Sequence, residues 1–376
     1  MNLSRNRKKR HKDNHPRKIF VGMSGGVDSS LSAALLKDEG HDVTGVFIKA
    51  WHPEWAPCNW IEDRRDAMRV AARLHIPFLT LDLEKEYKKS VVDYMVSQYK
   101  AGRTPNPDVM CNKHIKFGHF LEYARRSGAE YVATGHYAKR DVDPQPQISE
   151  HVTYTLLKGE DKNKDQSYFL WTLTQAQLKH ILFPIGHLQK SRVRELARKF
   201  DLPNALKKDS QGLCFVGKID MKDFLGHYLE KRRGDVVNIE GKKIGTHDGA
   251  LLYTIGERHG FTVMEKTPHD PPYYIVAKDT IRNTITVAHK RGQERAGGAR
   301  SFTIDSPHWI GGVPDEKKNY TAQVRYRQQE QKVKLRKISS SVWQADFSDI
   351  QVAAAGQSLV VYDGEVCVGG GTIVEA

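Results

Sequence analysis

One short segment, Lys18-Ile-Phe-Val-Gly-Met-Ser-Gly-Gly-Val-Asp-Ser-Ser30, limits what this chain can fold into more than any other. Its apolar run from Ile19 to Val21 reads as a buried parallel strand, and a helical period begins at Val27, Leu31, Ala34 and Leu35. Between them stand Ser24, Gly25 and Gly26. Two adjacent glycines let backbone N–H groups come close to an anion. The helix start adds unpaired N–H groups and a favourable dipole. The combination is a cradle for phosphate. It is not the Lys-bearing loop of P-loop nucleoside triphosphatases, because no Gly-Lys-Ser/Thr follows. A plain turn capped by Ser24 or Asp28 would not need both glycines.

Strand and helix signals alternate from residue 18 to about 140. Strands are expected over 43–48, over 78–83 and from Tyr131 to Thr134, with helices over 62–74, 84–100 and 114–127. Repeated β-α-β units imply an α/β fold with a doubly wound parallel sheet. Ligands in such sheets sit beyond the carboxyl ends of the strands, where the first loop, Ile48 and Gly135-His136 all fall. Further on, helices are expected to open at Asp165, to run from a Ser191 cap to Phe200, and to run from Met221 to Lys231. After Gly234 short β-rich runs alternate with turns, which suits a small β domain followed by a barrel or sandwich. The expected division is a disordered basic arm 1–17, an α/β domain 18–216, a central β-rich domain 217–285 and a C-terminal β-barrel domain 286–376. The linker is expected near 280–300.

The formal charge is +14, from 59 Lys/Arg against 45 Asp/Glu. Eight Lys/Arg and one Asp in the first 18 residues supply half of that excess. This opening has almost no apolar content, so it reads as a solvated tail or an accessory RNA-binding arm. A mitochondrial targeting peptide would need an apolar face that is missing. Residues 314–340 hold eight Lys/Arg and three acids, a second basic stretch suited to a polyanion or to water. No apolar run approaches a membrane span and no secretory core follows the basic start. A cytoplasmic protein without membrane contact is expected.

Four cysteines stand at 58, 111, 214 and 367, the nearest two 53 residues apart. That spacing argues against a zinc or iron–sulfur site and against a disulfide scaffold. Cys58 and Cys367 read as buried filler. Cys111 follows Thr104-Pro-Asn-Pro-Asp-Val-Met110, whose two prolines should keep the segment out of a helix that Asn112 then starts. A thiol at that helix start, beside Lys113 and His114, should have a lowered pKa and act as a nucleophile. Cys214 sits in a Gly-bearing turn with Lys207 and Lys208 nearby, where a thiolate or persulfide could be stabilised.

With these motifs in view, the chain resembles the tRNA-specific 2-thiouridylases of the ATP pyrophosphatase superfamily, over nearly everything from Lys18 to Ala376. The carrying motifs are Gly22-Met-Ser-Gly-Gly-Val-Asp-Ser29, Asn106-Pro107-Asp108 with Cys111, and Thr134-Gly135-His136-Tyr137-Ala138. Lys164-Asp-Gln-Ser-Tyr-Phe-Leu170, Gly212-Leu-Cys-Phe215, Arg325-Tyr-Arg-Gln328 and Gly356-Gln-Ser358 complete them. The departures are the basic arm and Ile48, where the family often has Met.

The resemblance implies an adenine nucleotide alpha hydrolase-like fold. It implies ATP as substrate, bound at Gly22, Met23, Ser24, Gly25, Gly26, Val27, Asp28 and Ser29 and bordered by Ile48 and Gly135, with Mg²⁺ in company and Asp28 its one candidate ligand. Asn106, Pro107 and Asp108 would meet the target uridine. His136, Lys164, Asp165, Gln166, Arg325, Tyr326 and Gln357 would contact tRNA. Cys214 would carry sulfur as a persulfide. Cys111 would either release that sulfur as sulfide or resolve the persulfide afterwards, with a transient Cys111–Cys214 disulfide. The implied partners are lysine, glutamate and glutamine tRNAs and a persulfide donor protein, with the enzyme itself a monomer. Two other readings share the loop: a small-substrate ligase, and an RNA-binding protein that keeps a nucleotide loop for regulation.

Overall fold

In a computed structural model, residues 15–56, 60–142, 153–208, 220–264, 269–289 and 298–375 are described. Cys58, Cys214 and residues 1–14 of the arm lie outside them.

The first body is the expected parallel sheet. Strands β1 (Lys18–Gly22), β2 (Asp42–Lys49), β3 (Phe78–Asp82), β4 (Tyr131–Ala133) and, later, β7 (Ile181–Leu182) lie in the order β3-β2-β1-β4-β7, all parallel. Ile19, Val21 and Val132 are fully buried, as expected for strands covered on both faces. Helices α1 (Val27–Asp38) and α2 (Trp60–Arg73) follow β1 and β2. Continuous helical stretches fill 84–100 and 107–126, each with a wide-turn π segment, Lys88–Asp93 and Cys111–His119. Winding runs outward from β1 to β3, then returns to β4 on the other side of β1. The order therefore reverses between β1 and β4, and the crevice at their carboxyl ends is where such a sheet takes a ligand.

Several local expectations are corrected. Pro107 does not keep its segment out of a helix. It is the first residue of one, with Asn106 as N-cap accepting from the Val109 N–H at 3.3 Å. Proline fits there because the first helical N–H has no partner to lose. Asn112 therefore does not start that helix. Asp165 opens only a single 3₁₀ turn, Ser167–Phe169. The helix Lys190–Lys199 begins one residue before Ser191, with Gln189 at the cap and no side-chain capping bond. The helix from Met221 stops at Gly226. Arg17, assigned to the arm, is tied into the body: its guanidinium donates to the Tyr131 hydroxyl at 2.5 Å and its carbonyl accepts from the Asp42 N–H.

The central sheet has the order β10-β9-β8-β12-β11. Its strands are β8 (Gly234–Val237), β9 (Lys243–His247), β10 (Thr262–Val263), β11 (Tyr273–Asp279) and β12 (Thr284–His289). β12 thus occupies part of the stretch expected to be linker. The last body is a closed six-stranded antiparallel barrel. It comprises β13 (Ala299–Trp309), β14 (Tyr320–Gln323), β15 (Gln331–Lys337), β16 (Val342–Gln351), β17 (Ser358–Asp363) and β18 (Val366–Glu375), sealed by the β13–β18 pairing. In β15, Val333 and Leu335 point into the barrel while Lys332, Lys334 and Arg336 are exposed. The hairpin β5 (Ala138–Val142) and β6 (Tyr154–Lys158) joins the same sheet through Leu156 and Leu157 opposite Cys367 and Val366. The first body therefore lends two strands to the barrel sheet. Among the described residues, no helix is long and apolar enough to cross a membrane.

The crevice between β1 and β4 requires glycine at 135. A Cβ there would lie 2.6 Å from the Ser29 nitrogen and 2.7 Å from the Asp28 carbonyl carbon, both backbone atoms that cannot swing aside. Gly135→Ala is expected to destabilise the protein by ~1–3 kcal/mol through overpacking. It should also weaken nucleotide binding by prising the loop open. An unchanged melting temperature in a thermal unfolding scan would contradict this.

Candidate active site

The first loop is folded upon itself. The Ser24 N–H donates to Ser29 Oγ at 3.2 Å, and the Ser29 and Ser30 hydroxyls donate to the Gly26 carbonyl at 3.2 and 2.8 Å. Gly25 takes a left-handed φ of 75°, and a side chain there would strike the Asp63 carbonyl. Asn204 fastens the turn from outside, donating to the Gly25 carbonyl at 2.8 Å and to Ser30 Oγ at 2.9 Å. Gly26 occupies the cap position of α1 in an extended conformation and offers no capping side chain. The positive end of α1 is thereby left to a ligand. Met23 and Val27 are buried, so they would serve a nucleotide through their backbones. Ile48 is 4% exposed near the end of β2.

Asp28, in the first turn of α1, is not an open carboxylate. Lys190 Nζ lies 2.7 and 2.9 Å from its two oxygens, and the Tyr137 hydroxyl donates to Oδ1 at 2.8 Å. Tyr137 is fixed in turn by Gln166, whose Oε1 accepts from the Tyr137 N–H at 3.0 Å and whose own N–H donates to the Tyr137 carbonyl at 2.8 Å. Among the described residues, no group of three or more His, Cys, Asp or Glu could hold a metal ion. A hard cation carried in on triphosphate oxygens, with Asp28 as the one loop acid, fits this better than a protein cage.

Cys111 is fully buried, one turn inside the helical run that begins at Pro107. The neighbouring Asn112 is also buried and donates to the Phe169 carbonyl at 3.1 Å. The run packs toward the crevice: Phe117 lies 5.7 Å from the His136 ring, and a Cβ built on Gly22 would stand 3.4 Å from the Phe120 ring. The cations named beside the two thiols in the sequence have partners or shifts of their own. Burial, helped by Lys113, lowers the His114 pKa and so favours a neutral ring. Lys207 is paired with Asp63 and Asp66, both at 2.7 Å. Cys214 itself, and so the Cys111–Cys214 pairing, falls outside the described residues. Cys367 is buried, and burial raises its pKa.

Most residues expected to contact tRNA also make bonds or ring contacts within the protein. His136 is buried between Phe117 and Phe183, with Nδ1 2.7 Å from Thr134 Oγ1, and burial then Lys116 hold its pKa well below 6.5. Asp165 accepts from the Gly159 N–H and from the Ser167 N–H and hydroxyl, and burial raises its pKa. Arg325 reaches the Ile255 carbonyl at 3.3 Å. Tyr326 packs on Phe169 with ring centroids 4.4 Å apart. Gln357 donates to the Thr104 and Pro105 carbonyls at 2.8 and 3.3 Å. The Thr104 N–H donates to the Ala355 carbonyl, and its hydroxyl meets that of Thr254 at 3.2 Å. All three bodies thus converge on the segment that leads to Cys111. Lys164 is half-buried, its N–H donating to the Asp161 carbonyl at 2.9 Å.

Sequence reasoning missed Lys190, Asn204 and Thr104. Lys190 acts across 162 residues and Asn204 across 179, and neither sits in a local pattern that announces it.

The sheet and its anion cradle define a protein of the HUP class. Three family models match in succession: the tRNA methyl transferase HUP domain over residues 17–218, the tRNA methyl transferase PRC-barrel domain over 222–289 and the aminomethyltransferase beta-barrel domain over 299–373. The tRNA-specific 2-thiouridylase MnmA of Streptococcus mutans is 45% identical over 371 residues, 97% of each chain. That of Lacticaseibacillus paracasei is 44% identical, covering 96% of this chain and 95% of the relative. A solved 4-thiouridine synthetase–RNA complex with bound ATP is 17% identical, covering 54% of this chain and 46% of that one at a TM-score of 0.37. A likeness that slight carries no weight here. The chain belongs to the tRNA-specific 2-thiouridylase family, whose members are sulfurtransferases.

Two consequences can be measured on the free protein. The unfolded chain protonates His136 below about pH 6.5, whereas the folded chain resists it. The stability this contributes is full above that pH and is lost as pH falls through it. His180 and His247 are depressed by burial as well and act with the same sign. His136→Gln is therefore expected to flatten the drop in melting temperature between about pH 6.5 and 5; an unaltered slope would refute the assignment. Gln357→Ala removes two bonds to the 104–105 backbone and should cost ~1–2 kcal/mol without any RNA present. A residue serving RNA alone would leave the melting temperature where it was.

Proposed function

We propose that the protein is an ATP-dependent tRNA-uridine 2-sulfurtransferase acting on the wobble uridine of tRNA anticodons. The observation that carries this reading is the packing of the Cys111-bearing helical run against the two strand ends that form the phosphate cradle. Its family membership supports the same chemistry.

In this reading the Gly22–Ser29 loop and the start of α1 hold the phosphates, and Ile48 and Gly135 border the adenosine. The uridine leaves its stack and lies by Asn106, Pro107 and Asp108. Its C2 oxygen attacks the α-phosphorus and pyrophosphate departs, so that C2 now carries AMP as a leaving group. Mg²⁺, when bound, supplies neutralising charge to the pyrophosphate.

A persulfide on Cys214, received from a donor protein, supplies the sulfur, and two orders of events are chemically balanced. Cys111 thiolate can attack Sγ of Cys214, expelling hydrosulfide that adds to C2 and displaces AMP. Alternatively the terminal persulfide sulfur adds to C2 and AMP leaves, and Cys111 then attacks Sγ of Cys214 and frees the thiocarbonyl. Both orders end in a Cys111–Cys214 disulfide, which an external thiol reductant must open. Exposed Lys332 and Lys334 on the barrel, and the half-buried Lys164, would meet tRNA phosphates. Asp165, Gln166, His136, Arg325, Tyr326 and Gln357 would act by shaping the surface that the RNA meets. A cytoplasmic setting and the lysine, glutamate and glutamine acceptors complete the proposal.

The test is mass analysis of nucleosides after incubation with ATP, a persulfide donor and unmodified tRNA. The wild type should form 2-thiouridine, while Cys111→Ser and Cys214→Ser should each lose at least ~1,000-fold in product formation. Both variants should still bind ATP. Full product from either would overturn the sulfur relay. Pyrophosphate exchange driven by a small carboxylate without RNA would favour a ligase.

A further inference from the structure

We infer that Arg258, steered by His259, is a phosphate clamp for the RNA strand that approaches Cys111. The inference rests on the tRNA reading above and adds a contact to it.

The arginine sits in a loop that is pinned along its length. The Gly256 N–H donates to the Ile275 carbonyl at 2.7 Å, and the Ile275 N–H donates back to the Glu257 carbonyl at 2.9 Å. Lys222 Nζ donates to the His259 carbonyl at 2.9 Å, and the Tyr253 hydroxyl donates to the Gly260 carbonyl. Gly256 and Gly260 allow this path with left-handed φ angles of 87° and 85°. A loop fixed in this way holds its tip in one place, so little ordering remains to be lost when a ligand arrives.

The tip is Arg258 and His259, both exposed. Arg258 Nε donates to His259 Nε2 at 3.0 Å, so that ring nitrogen serves as a lone-pair acceptor. The imidazole fixes the plane of the guanidinium without cancelling its charge, which a carboxylate would do. Among the described residues, the guanidinium meets no carboxylate. The adjacent acid, Glu257, is already taken: Oε2 accepts from the Thr254 N–H at 3.1 Å, and Oε1 lies 3.0 Å from Lys222 Nζ. The Nη groups of Arg258 are left as a flat fork of N–H donors, the shape that matches two oxygens of a phosphate.

The loop is also well placed for the substrate strand. Thr254, at its foot, meets the Thr104 hydroxyl at 3.2 Å, and the Ile255 carbonyl accepts from Arg325 at 3.3 Å. Four residues of chain reach at most about 14 Å. The Arg258 backbone therefore stays within that distance of Thr254, beside the segment that leads to Cys111. The cradle at the start of α1 belongs to a different body, so the fork serves RNA rather than ATP.

Binding of unmodified tRNA to the full-length protein, followed by fluorescence anisotropy across a potassium chloride series, tests this. Arg258→Gln is expected to weaken tRNA at least about fivefold at low salt. It should also lower the slope of log K against log salt by about 0.7–0.9, the loss of one phosphate contact. His259→Ala keeps the arginine's charge and should leave that slope unchanged, while weakening tRNA about two- to threefold because the fork is no longer held. ATP binding, measured by calorimetry, should be unaltered in both variants, which also reports that they fold. Unchanged tRNA affinity in either variant, or a weaker affinity with the full slope in Arg258→Gln, would overturn the inference and leave the proposed function standing. An equal loss of ATP in Arg258→Gln would assign the fork to the nucleotide and overturn it as well. A wild type that did not bind tRNA would overturn both.

Discussion

The site depends on two stretches of backbone touching. The turn after β4 comes so near the first turn of α1 that only glycine fits at 135. The turn after β1 needs glycine at 25 because its backbone is left-handed and abuts Asp63. Remove either freedom and the α1 N-terminus no longer opens onto a crevice. The reversal of strand order between β1 and β4 creates the gap, and the glycines keep side chains out of it. The anion site is therefore a property of backbone path first and of side chains second.

A chain of polar contacts then sets the charge of that crevice. Gln166 grips both backbone groups of Tyr137, the Tyr137 hydroxyl meets Asp28, Asp28 meets Lys190, and Asp161 holds the Lys190 backbone. The residues span four separate stretches of sequence. Gln166 and Tyr137 belong to motifs that the sequence alone suggested were for RNA and nucleotide. Here their first effect is to fix a carboxylate and an ammonium at the start of α1. Buried polar groups linked in this way cost little, because each partner satisfies the next.

Much of the architecture was legible because its signals are local. Apolar runs fixed β1 to β4 within a residue or so, and alternation along Lys332 to Leu335 announced a barrel wall. The glycine pair marked the cradle. Two kinds of feature were not legible. Pro107 was misread because a proline that breaks a helix interior is well suited to its first position, and sequence does not say where a helix begins. Arg325, Tyr326 and Gln357 were expected to contact tRNA through the family motifs they sit in, and no local pattern told of their partners within the protein. Those partners are Ile255, Phe169 and Thr104, far away in the chain. The β5–β6 hairpin was missed for a related reason: its partner strand, β18, lies at the other end of the sequence.

The same convergence bears on the thiol. Cys111 is fully buried, and a buried thiol is shielded from oxidants as well as from substrates. Its helical run is anchored at the Asn106 cap, and the residues just before that cap are held by three groups from two other bodies: Gln357, the Ala355 carbonyl and Thr254. Each is a single hydrogen bond or pair, worth about 1 kcal/mol. The thiol is thus mounted on a part of the first body that both other bodies touch.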